Sequence, residues 1–477
     1  MRRRALVLGA IAGARLLAQP APLSPDAPIV FQHVTIIDAT GAAPHRNFSV
    51  LVSGGSIAQI APKVKIPRGA RKVDAKGKFM IPGLWDMHVH LGSPESFFPL
   101  LVANGITGVR EMYSGVAPAA LIPLRSRPDV PQLVVSAFLD GPRMLSNGPP
   151  PPGAAAVATA DQARFAVRAL AASGADFLKV YNSLPREAYF AIAQEARAVG
   201  IPFVGHVPEE VSPAEASSAG QRSQEHLINI LLACSTREPE LRAARIELMN
   251  SNAISGEQRM RELGFPDPQG LFDTYSEEKC AALFKTFVSN GTWHTPTLVL
   301  LQGFAHGDEF ARDPRLASQP RIIRETPHPR QRFYMQDLSP EAYGGLELRV
   351  RASLERYQKL VGDMHRAGVE FLAGTDTSVS NPVLIGYGLH EELALLVESG
   401  LTPMEALQTA TLNPARFFGA QDRMGTIEVG KAADLVLLDA DPLRDIRNTQ
   451  TIRAVVMHGR FFGRAELDEM LHRAAAN

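Results

Sequence analysis

Short apolar runs of β type alternate with amphipathic helical patterns between residues 81 and 423, and this alternation restricts the fold more than any other feature. Eight candidate strands end at WDMHVHL, ITGVREM, QLVVSAFL, DFLKVY, IPFVGHV, RSQEHLI, WHTPTLVLL and VEFLAGTD. Strands that alternate with helices form parallel sheets. Eight such units predict an α/β fold, a closed (β/α)8 TIM barrel whose site lies at the carboxyl ends of the strands.

The intervening segments carry helical signals. Apolar residues repeat at helical spacing in two of them, at Tyr189, Ile192, Ala193 and Ala196 and at Tyr357, Leu360, Val361 and Met364. Ser212 with Glu215 and Thr402 with Glu405 each predict a capping box with proline at the first helical position.

Both ends of the chain carry β-type patterns outside the barrel. Residues 28–80 and 424–463 contain short alternating runs with Gly, Pro and Asn between them, and we expect them to form one composite β-sandwich module. The barrel then occupies residues 81–423, and residues 464–477 form a C-terminal helix. Residues 232–275 form a long insertion over the barrel rim, for which a substrate-selecting lid and a packed helical decoration are both open. The segment SNGPPPPGAAA after strand 3 predicts a loop.

The first residues, MRRRALVLGAIAGARLLAQPAP, have a basic start, a short apolar stretch and small residues near Ala18. This layout predicts a signal peptide over residues 1–18 and export to the periplasm or the medium, by either the Sec or the Tat route. No later segment offers some 18 consecutive apolar residues, so we expect no membrane association of the mature chain.

Composition limits the partners. Lys plus Arg and Asp plus Glu number 49 each, and no long run of one sign occurs, which argues against nucleic acid and favours a small-molecule substrate. The oligomeric state is open, and homo-oligomers are compatible with the sequence. Cys234 and Cys280 lack metal-binding spacing, and either a disulfide or two buried thiols fits them.

Polar side chains with ligand chemistry stand late in five of the predicted strands. His88 and His90 share one side of their strand because residues i and i+2 point the same way, and two neutral imidazoles can bind one divalent metal. The full set at the same end of the barrel is His88, His90, Lys179, His206, His226 and Asp376. These residues predict a metal centre.

Lys179 needs a separate explanation because a protonated ammonium repels cations. Carbamylation by CO₂ converts the amine into an anionic carbamate whose two oxygens can bridge two metals. The alternative is a lysine that extends towards a substrate carboxylate or a salt-bridge partner.

The motifs PGLWDMHVHL, VGHV, QEHL and AGTDT, with the lysine of DFLKVY, resemble the amidohydrolase superfamily, in particular its imidazolonepropionase-like and Xaa-Pro-dipeptidase-like branch. The similarity extends over nearly the whole mature chain and includes VGKAADLVLLDADPL near its end. The resemblance implies two divalent ions, with His88, His90 and Asp376 on one, His206 and His226 on the other, and carbamylated Lys179 bridging both. Imidazolonepropionases lack that lysine, so Lys179 favours the dipeptidase-like members.

The sequence departs from the family at two places. VREM stands where relatives commonly have Arg-Asp, so Glu111 keeps or alters a contact behind the ligands. The loop after strand 3 has no histidine, although family members often carry one there. Substrate choice is therefore the least transferable property.

The predicted function is metal-dependent hydrolysis of an amide or peptide C–N bond by a metal-bridging hydroxide, with Asp376 as general base. We expect a small, carboxylate-bearing substrate such as a dipeptide or an N-acyl amino acid. Lactone or phosphotriester hydrolysis on the same centre is the alternative. Zinc is the expected ion, although manganese and cobalt suit the ligands equally.

Three further residues stand near strand ends. Tyr181 is a candidate for substrate contact, with packing at the barrel rim as the alternative. His294 is a candidate for lining the substrate pocket, with a packed or solvent-facing histidine as the alternative. Asp86 sits deeper than His88 on the same face, which favours a supporting hydrogen bond over direct ligation.

Overall fold

The computed structural model describes residues 27–143, 150–264, 268–332 and 335–476. The signal peptide predicted for residues 1–18 and part of the proline-rich loop lie outside the described residues. The strands are β1 (Ile29–Ile36), β2 (His45–Ser53), β3 (Ser56–Ala61), β4 (Arg71–Asp74), β5 (Phe79–Pro82), β6 (Leu84–Val89), β7 (Ile106–Glu111), β8 (Gln132–Asp140), β9 (Ala154–Ala156), β10 (Phe177–Val180), β11 (Phe203–Gly205), β12 (Ser223–Glu225), β13 (Trp293–Thr295), β14 (Glu370–Phe371), β15 (Leu435–Leu438), β16 (Ile452–Met457) and β17 (Arg460–Gly463).

The α-helices of the described residues connect these strands and cover the barrel. They are α1 (Pro94–Ala103), α2 (Pro118–Leu121), α3 (Ala160–Ala172), α4 (Arg186–Val199), α5 (Pro213–Ser218), α6 (Ile230–Cys234), α7 (Glu238–Asn250), α8 (Gly256–Gly264), α9 (Pro268–Phe272), α10 (Glu277–Asn290), α11 (Leu298–Ala305), α12 (Gly307–Ala311), α13 (Arg321–Glu325), α14 (Pro340–Arg366), α15 (Gly388–Glu398), α16 (Pro403–Thr409), α17 (Leu412–Phe418) and α18 (Arg464–Ala476). Within the described ranges, no helix is both long enough and apolar enough to span a bilayer.

Eight parallel strands form the barrel. Strands β6, β7, β8, β10, β11, β12, β13 and β14 pair in that order, and all eight predicted strands are present. The two edges meet through backbone hydrogen bonds of 2.9 Å from Met87 N to Ala373 O and from His90 N to Thr377 O. The prediction of a (β/α)8 barrel is therefore confirmed, and the carboxyl ends of the eight strands meet at one face.

The chain ends build one sheet in the order β17-β16-β15-β5-β1-β2-β3, with β4 beside β1. Its apolar core includes Phe31, Met80 and Leu437, so strands from both ends bury one another. Strand β5 runs into β6 across Gly83, whose N–H donates to Asp434 O at 2.7 Å. This composite module thus holds the start of the first barrel strand.

Local sequence signals account for several helix boundaries. The capping boxes at Ser212 and Thr402 are both present and start α5 and α16. The apolar stripe predicted around Tyr189 lies on the buried face of α4. Contrary to the predicted loop after strand 3, residues Ala154–Ala156 form β9, which pairs with the last three residues of β8, beyond the part of β8 that pairs with β7.

The predicted insertion carries α7, α8 and α9 over the barrel rim. Cys234 at the end of α6 forms a disulfide with Cys280 in α10, with their Cα atoms 4.8 Å apart. This pairing resolves the two alternatives left by the sequence. The covalent bond closes the insertion at its base.

We expect untreated protein, unfolded without reductant, to titrate no free thiol, and reduced protein to titrate two. A Cys234→Ser/Cys280→Ser variant should lose about 2–4 kcal/mol of unfolding free energy, because the disulfide closes a loop between residues separated by 46 positions. Denaturant titration against the wild type, each with and without reductant, measures the loss. Two titratable thiols in untreated protein would contradict the pairing.

Candidate metal centre

Six side chains predicted as ligands lie at the carboxyl ends of the barrel strands. His88 and Lys179 belong to β6 and β10, and His206 and His226 directly follow β11 and β12. His90 follows β6, and Asp376 follows β14 with its N–H donating to His88 O at 2.8 Å. The parallel sheet brings together residues that are distant in sequence because all its strands end on the same face.

Distances between these side chains show a single cluster. The His88 ring lies 5.3 Å from that of His90 and 4.5 Å from that of His226, and the His206 and His226 rings are 4.8 Å apart, measured between centroids. Asp376 Oδ1 lies 2.9 Å from His90 Nε2 and 3.1 Å from His88 Nε2. Lys179 Nζ lies 3.3 Å from His88 Nε2. The structure thus brings all six residues together.

Each of the four imidazoles has its Nδ1 atom engaged away from the centre. The partners are Glu225 Oε2 for His88 at 2.9 Å, Tyr113 O for His90 at 2.6 Å, Asn182 Oδ1 for His206 at 2.6 Å, and Thr297 Oγ1 for His226 at 2.7 Å. An Nδ1 contact of this kind fixes the ring orientation and leaves Nε2 available as a metal ligand.

Burial favours the neutral form of three of these rings, those of His88, His206 and His226. It lowers the pKa of His226 to about 3 and the pKa of His206 well below its usual range. For His88, burial and then the neighbouring Lys179 lower the pKa. Neutral imidazole is the form that binds a metal, so these three rings need lose no proton near pH 7.

The donor set fits divalent metal ions. His88, His90 and Asp376 each offer a ligand atom, and these atoms lie within 4.8 Å of one another. They form a candidate metal site of imidazole and carboxylate donors, a combination that suits zinc, manganese and cobalt. His206 and His226 offer two further Nε2 atoms beside it.

Lys179 is 1% exposed, and burial lowers its pKa to about 8. Its Nζ contacts an imidazole, and among the described residues no salt bridge includes it. Lys179 therefore has no salt-bridge partner among the described residues, and its alternative role as a contact for a substrate carboxylate stays open.

An ion pair that the sequence analysis missed lies directly behind the cluster. Arg110 Nη2 donates to both carboxylate oxygens of Glu225 at 2.9 Å, and its Nε donates to Met87 O at 2.6 Å. Its Nη1 donates to Ser223 Oγ at 2.8 Å. Burial alone would raise the pKa of Glu225, but Arg110, with His88, outweighs it and holds that pKa well below its usual range. Glu225 is therefore an anion that aligns His88.

Both residues of this ion pair stand in motifs that the sequence had singled out, Arg110 in VREM and Glu225 in QEHL. Arg110 precedes the singled-out Glu111, and Glu225 precedes His226. Glu111 instead accepts the backbone N–H of Tyr113 at 2.9 Å, and burial raises its pKa. Arg110 and Glu225 come from β7 and β12, which are not adjacent in the strand order, so only the folded barrel shows that they pair.

Asp86 makes the supporting hydrogen bonds predicted for it, and Tyr181 lies beside the cluster. Asp86 accepts hydrogen bonds from Thr375 N at 3.0 Å and Thr375 Oγ1 at 2.7 Å, so it joins β6 to the chain after β14. Burial raises its pKa to about 7. Tyr181 lines the site cavity, with its ring centroid 4.0 Å from that of His206. Its contact with substrate stays a prediction.

The position of His294 corrects the expectation that it lines the pocket. In β13, Thr295 faces inward and accepts from Arg110 at 3.2 Å, so the preceding His294 faces the helices. Its ring packs 4.5 Å from that of Phe287 in α10, and the residue is fully buried outside the cavity. The phase of this three-residue strand could not be assigned from the sequence.

Backbone conformation at the strand ends is specialised. His226 and Asp376 have positive φ angles of 60° and 56°, which turn the chain sharply as it leaves β12 and β14. At Gly374, a Cβ atom would lie 2.8 Å from His88 Cβ, so glycine allows the close approach of this segment to β6. The glycine of AGTDT thus has a packing role.

The cluster forms the floor of a cavity of about 310 Å³. Polar residues His90, Lys179, His206, His226 and Asp376 line one part. The rest of the lining comes from residues of α6, α7, α8, α9, α11 and α14 and from loop residues that follow the strands, so the insertion contributes to the wall of the cavity.

Known proteins are similar to this chain in sequence over part of its length and in fold over most of it. A family model described as "Amidohydrolase family" matches residues 347–461, which include Asp376. The match to this family thus covers about a quarter of the chain. Ochratoxinase of Aspergillus niger is 33% identical over 122 residues, 25% of this chain and 23% of that relative. The matched segment therefore spans about a quarter of the length of this curated relative.

Two solved structures share the fold over most of the chain. A bottromycin amidohydrolase has a TM-score of 0.67 at 23% identity, covering 94% of this chain and 90% of that one. A Xaa-Pro dipeptidase with bound methionine has a TM-score of 0.62 at 18% identity, covering 92% and 100%. The likeness therefore concerns the complete barrel and its sheet module.

We expect Glu225→Gln to weaken metal binding about 10–100-fold, because His88 loses the carboxylate that orients it. The unfolding free energy should fall by about 3–5 kcal/mol, because Arg110 is left as an unpaired buried charge. Metal titration and denaturant unfolding measure the two effects. The matched control is Glu370→Gln at the exposed Arg416 pair, for which a change within about 1 kcal/mol is expected. Equal behaviour of the two variants would contradict the role of Glu225.

Proposed function

We propose that this protein is a metal-dependent amidohydrolase that cleaves an amide or peptide C–N bond of a small substrate of the dipeptide or N-acyl amino acid type. The single observation that supports this function most strongly is the cluster of four imidazoles, one carboxylate and one buried amine, of which all but the fully buried His88 line the floor of a cavity. The names of the similar proteins, an amidohydrolase and a dipeptidase, support the same reaction class.

In this proposal His88, His90 and Asp376 hold one divalent ion, and His206 and His226 hold a second. Lys179 would bridge them as a carbamate, which removes the positive charge of an amine. Two such ions, with zinc the expected metal, supply a Lewis acid for the substrate carbonyl and lower the pKa of water. The carbamate and zinc are expectations carried over from the sequence.

Asp376 is the proposed general base. Burial alone would raise the pKa of its carboxyl, but His226 and His88 hold it well below its usual range, so the group is ionised. Asn381 Nδ2 donates to Asp376 Oδ2 at 2.9 Å and fixes the plane of the carboxylate. An ionised, oriented carboxylate accepts a proton from the attacking water and returns it to the leaving amine.

We also propose export to an oxidising compartment, the periplasm or the medium. The Cys234–Cys280 disulfide supports this location, since disulfides persist mainly in such compartments.

A substrate panel tests the reaction class. We expect metal-loaded enzyme to hydrolyse members of a set of dipeptides and N-acyl amino acids in preference to lactones and a phosphotriester, with products identified by mass spectrometry. Asp376→Asn should lower kcat at least about a hundredfold while most metal stays bound, because a proton acceptor is lost. Asp422→Asn, at an exposed loop carboxylate, is the matched control. Exclusive turnover of lactones or the phosphotriester would overturn the proposed reaction.

Lys179→Ala tests the bridging role. We expect metal content per chain to fall, with partial recovery when a short-chain carboxylic acid is added in place of the carbamate. Elemental analysis by mass spectrometry measures the content, and Lys359→Ala, at an exposed lysine of α14, is the control. Two metals per chain in Lys179→Ala without added acid would rule out the bridge.

A further inference from the structure

The site cavity has two chemically different parts. The metal-binding floor is polar, whereas the part beneath the insertion is lined by leucines and other apolar side chains. Leu231 and Leu232 come from α6, and Leu300 and Leu301 come from α11. We call this part the apolar chamber.

A segment that contains most of the insertion forms one wall of the apolar chamber. We call residues 235–279 the roof segment, of which residues 265–267 lie outside the described chain. It contributes Met260, Leu263 and Leu271 to the cavity lining. Leu263 and Leu271 are buried, although they belong to helices at the barrel rim. The roof segment thus directs apolar side chains to the cavity above the metal site.

Several contacts hold the base of the roof segment. The Cys234–Cys280 disulfide joins its two ends. Beside it, Thr236 N donates to Thr274 O and Ser276 N donates to Cys234 O, each at 2.8 Å. This base forms a short ladder that ties α6 to the start of α10. A covalently closed, hydrogen-bonded base favours a preformed wall over a mobile cover.

Two ion pairs fix the roof helices to the body. Arg245 of α7 donates from Nε and Nη2 to the two carboxylate oxygens of buried Glu209, both at 2.8 Å. Arg261 of α8 donates to the two oxygens of Asp337 at 2.6 and 2.8 Å. Arg245 also donates to Leu263 O at 2.9 Å, which links α7 to the end of α8. The apolar residues of the roof are therefore held in place.

The two parts of the cavity differ in the charged side chains that line them. Arg245 is the charged residue that the roof segment contributes to the described lining, and Glu209 binds it through two hydrogen bonds. The apolar chamber, as far as its residues are described, therefore offers no unpaired cation to a substrate carboxylate. A charged group placed there would lose its hydration without a partner, whereas an apolar group gains from leaving water.

We propose that the apolar chamber is a specificity site for an uncharged, extended apolar group of the substrate, an acyl chain or a large apolar side chain. This inference rests on the proposed function, since the scissile amide must lie at the metal-binding floor for its apolar substituent to enter the chamber. The polar floor orients the bond, and the roof segment selects what is attached to it.

The test uses metal-loaded, full-length protein and two readouts. The first is binding of the uncharged fluorescent probe N-phenyl-1-naphthylamine, which does not depend on catalysis. The second is kcat/KM along two homologous amide series, lengthened on the acyl side or on the amine side. We expect affinity for the probe and, in one series, a rise of about fourfold in kcat/KM per added methylene until the chamber is filled.

Leu301→Trp fills the chamber from α11, and Met260→Trp fills it from the roof segment. We expect each folded variant to bind the probe at least about tenfold more weakly and to lose the chain-length dependence, while the shortest amide is still hydrolysed. Leu348→Trp is the matched control, because Leu348 is 66% exposed on α14. Circular dichroism melting verifies the fold of each variant.

Probe affinity unchanged within twofold in both folded tryptophan variants would overturn the chamber assignment, as would kcat/KM independent of length in both series. Failure of the proposed function has a different signature. If no amide is hydrolysed, but the probe binds the wild type and Leu348→Trp and not the filled variants, the chamber stands and the reaction class is wrong.

Discussion

The buried ion pair between Arg110 and Glu225 is the interaction on which the arrangement of the site depends. Both side chains are fully buried, so each charge has lost its hydration and must be satisfied within the barrel. The carbonyl of Met87 accepts from Nε of Arg110, Ser223 accepts from Nη1, and Thr295 accepts from Nη2 beside Glu225. Glu225 also accepts a hydrogen bond from His88. The same carboxylate therefore neutralises Arg110 and orients the ring of His88, a candidate metal ligand.

The barrel and the insertion contribute side chains of different polarity to the cavity. The strand ends supply polar groups whose orientations are fixed by backbone turns and hydrogen bonds, as at His226 and Asp376. The insertion supplies apolar side chains, and its position is fixed by a disulfide and by ion pairs to the body. In the proposed function, the strand ends would carry the reaction chemistry and the insertion, together with α6 and α11, the substrate choice, so that one could vary while the other is retained.

Much of the fold and of the candidate site followed from the sequence. The eight strands were predictable because apolar runs bounded by turns alternate with helical periodicity, and Ser212 and Thr402 marked helix starts through local capping chemistry. His88 and His90 were predictable as a pair because alternation within a strand is a local property. His294 was misplaced because β13 has only three residues, and its inward face is set by pairing with β12.

The sequence by itself determined the alternation of strands and helices, the inward face of the first barrel strand and the identity of the six clustered side chains. These properties depend on local periodicity and side-chain chemistry. Only the tertiary structure decided that Arg110 faces Glu225, that Cys234 pairs with Cys280, and that leucines of the insertion line the same cavity as the candidate metal ligands. Those contacts join residues far apart in the chain, and their partners are chosen by strand order and helix packing, which no short stretch of sequence encodes.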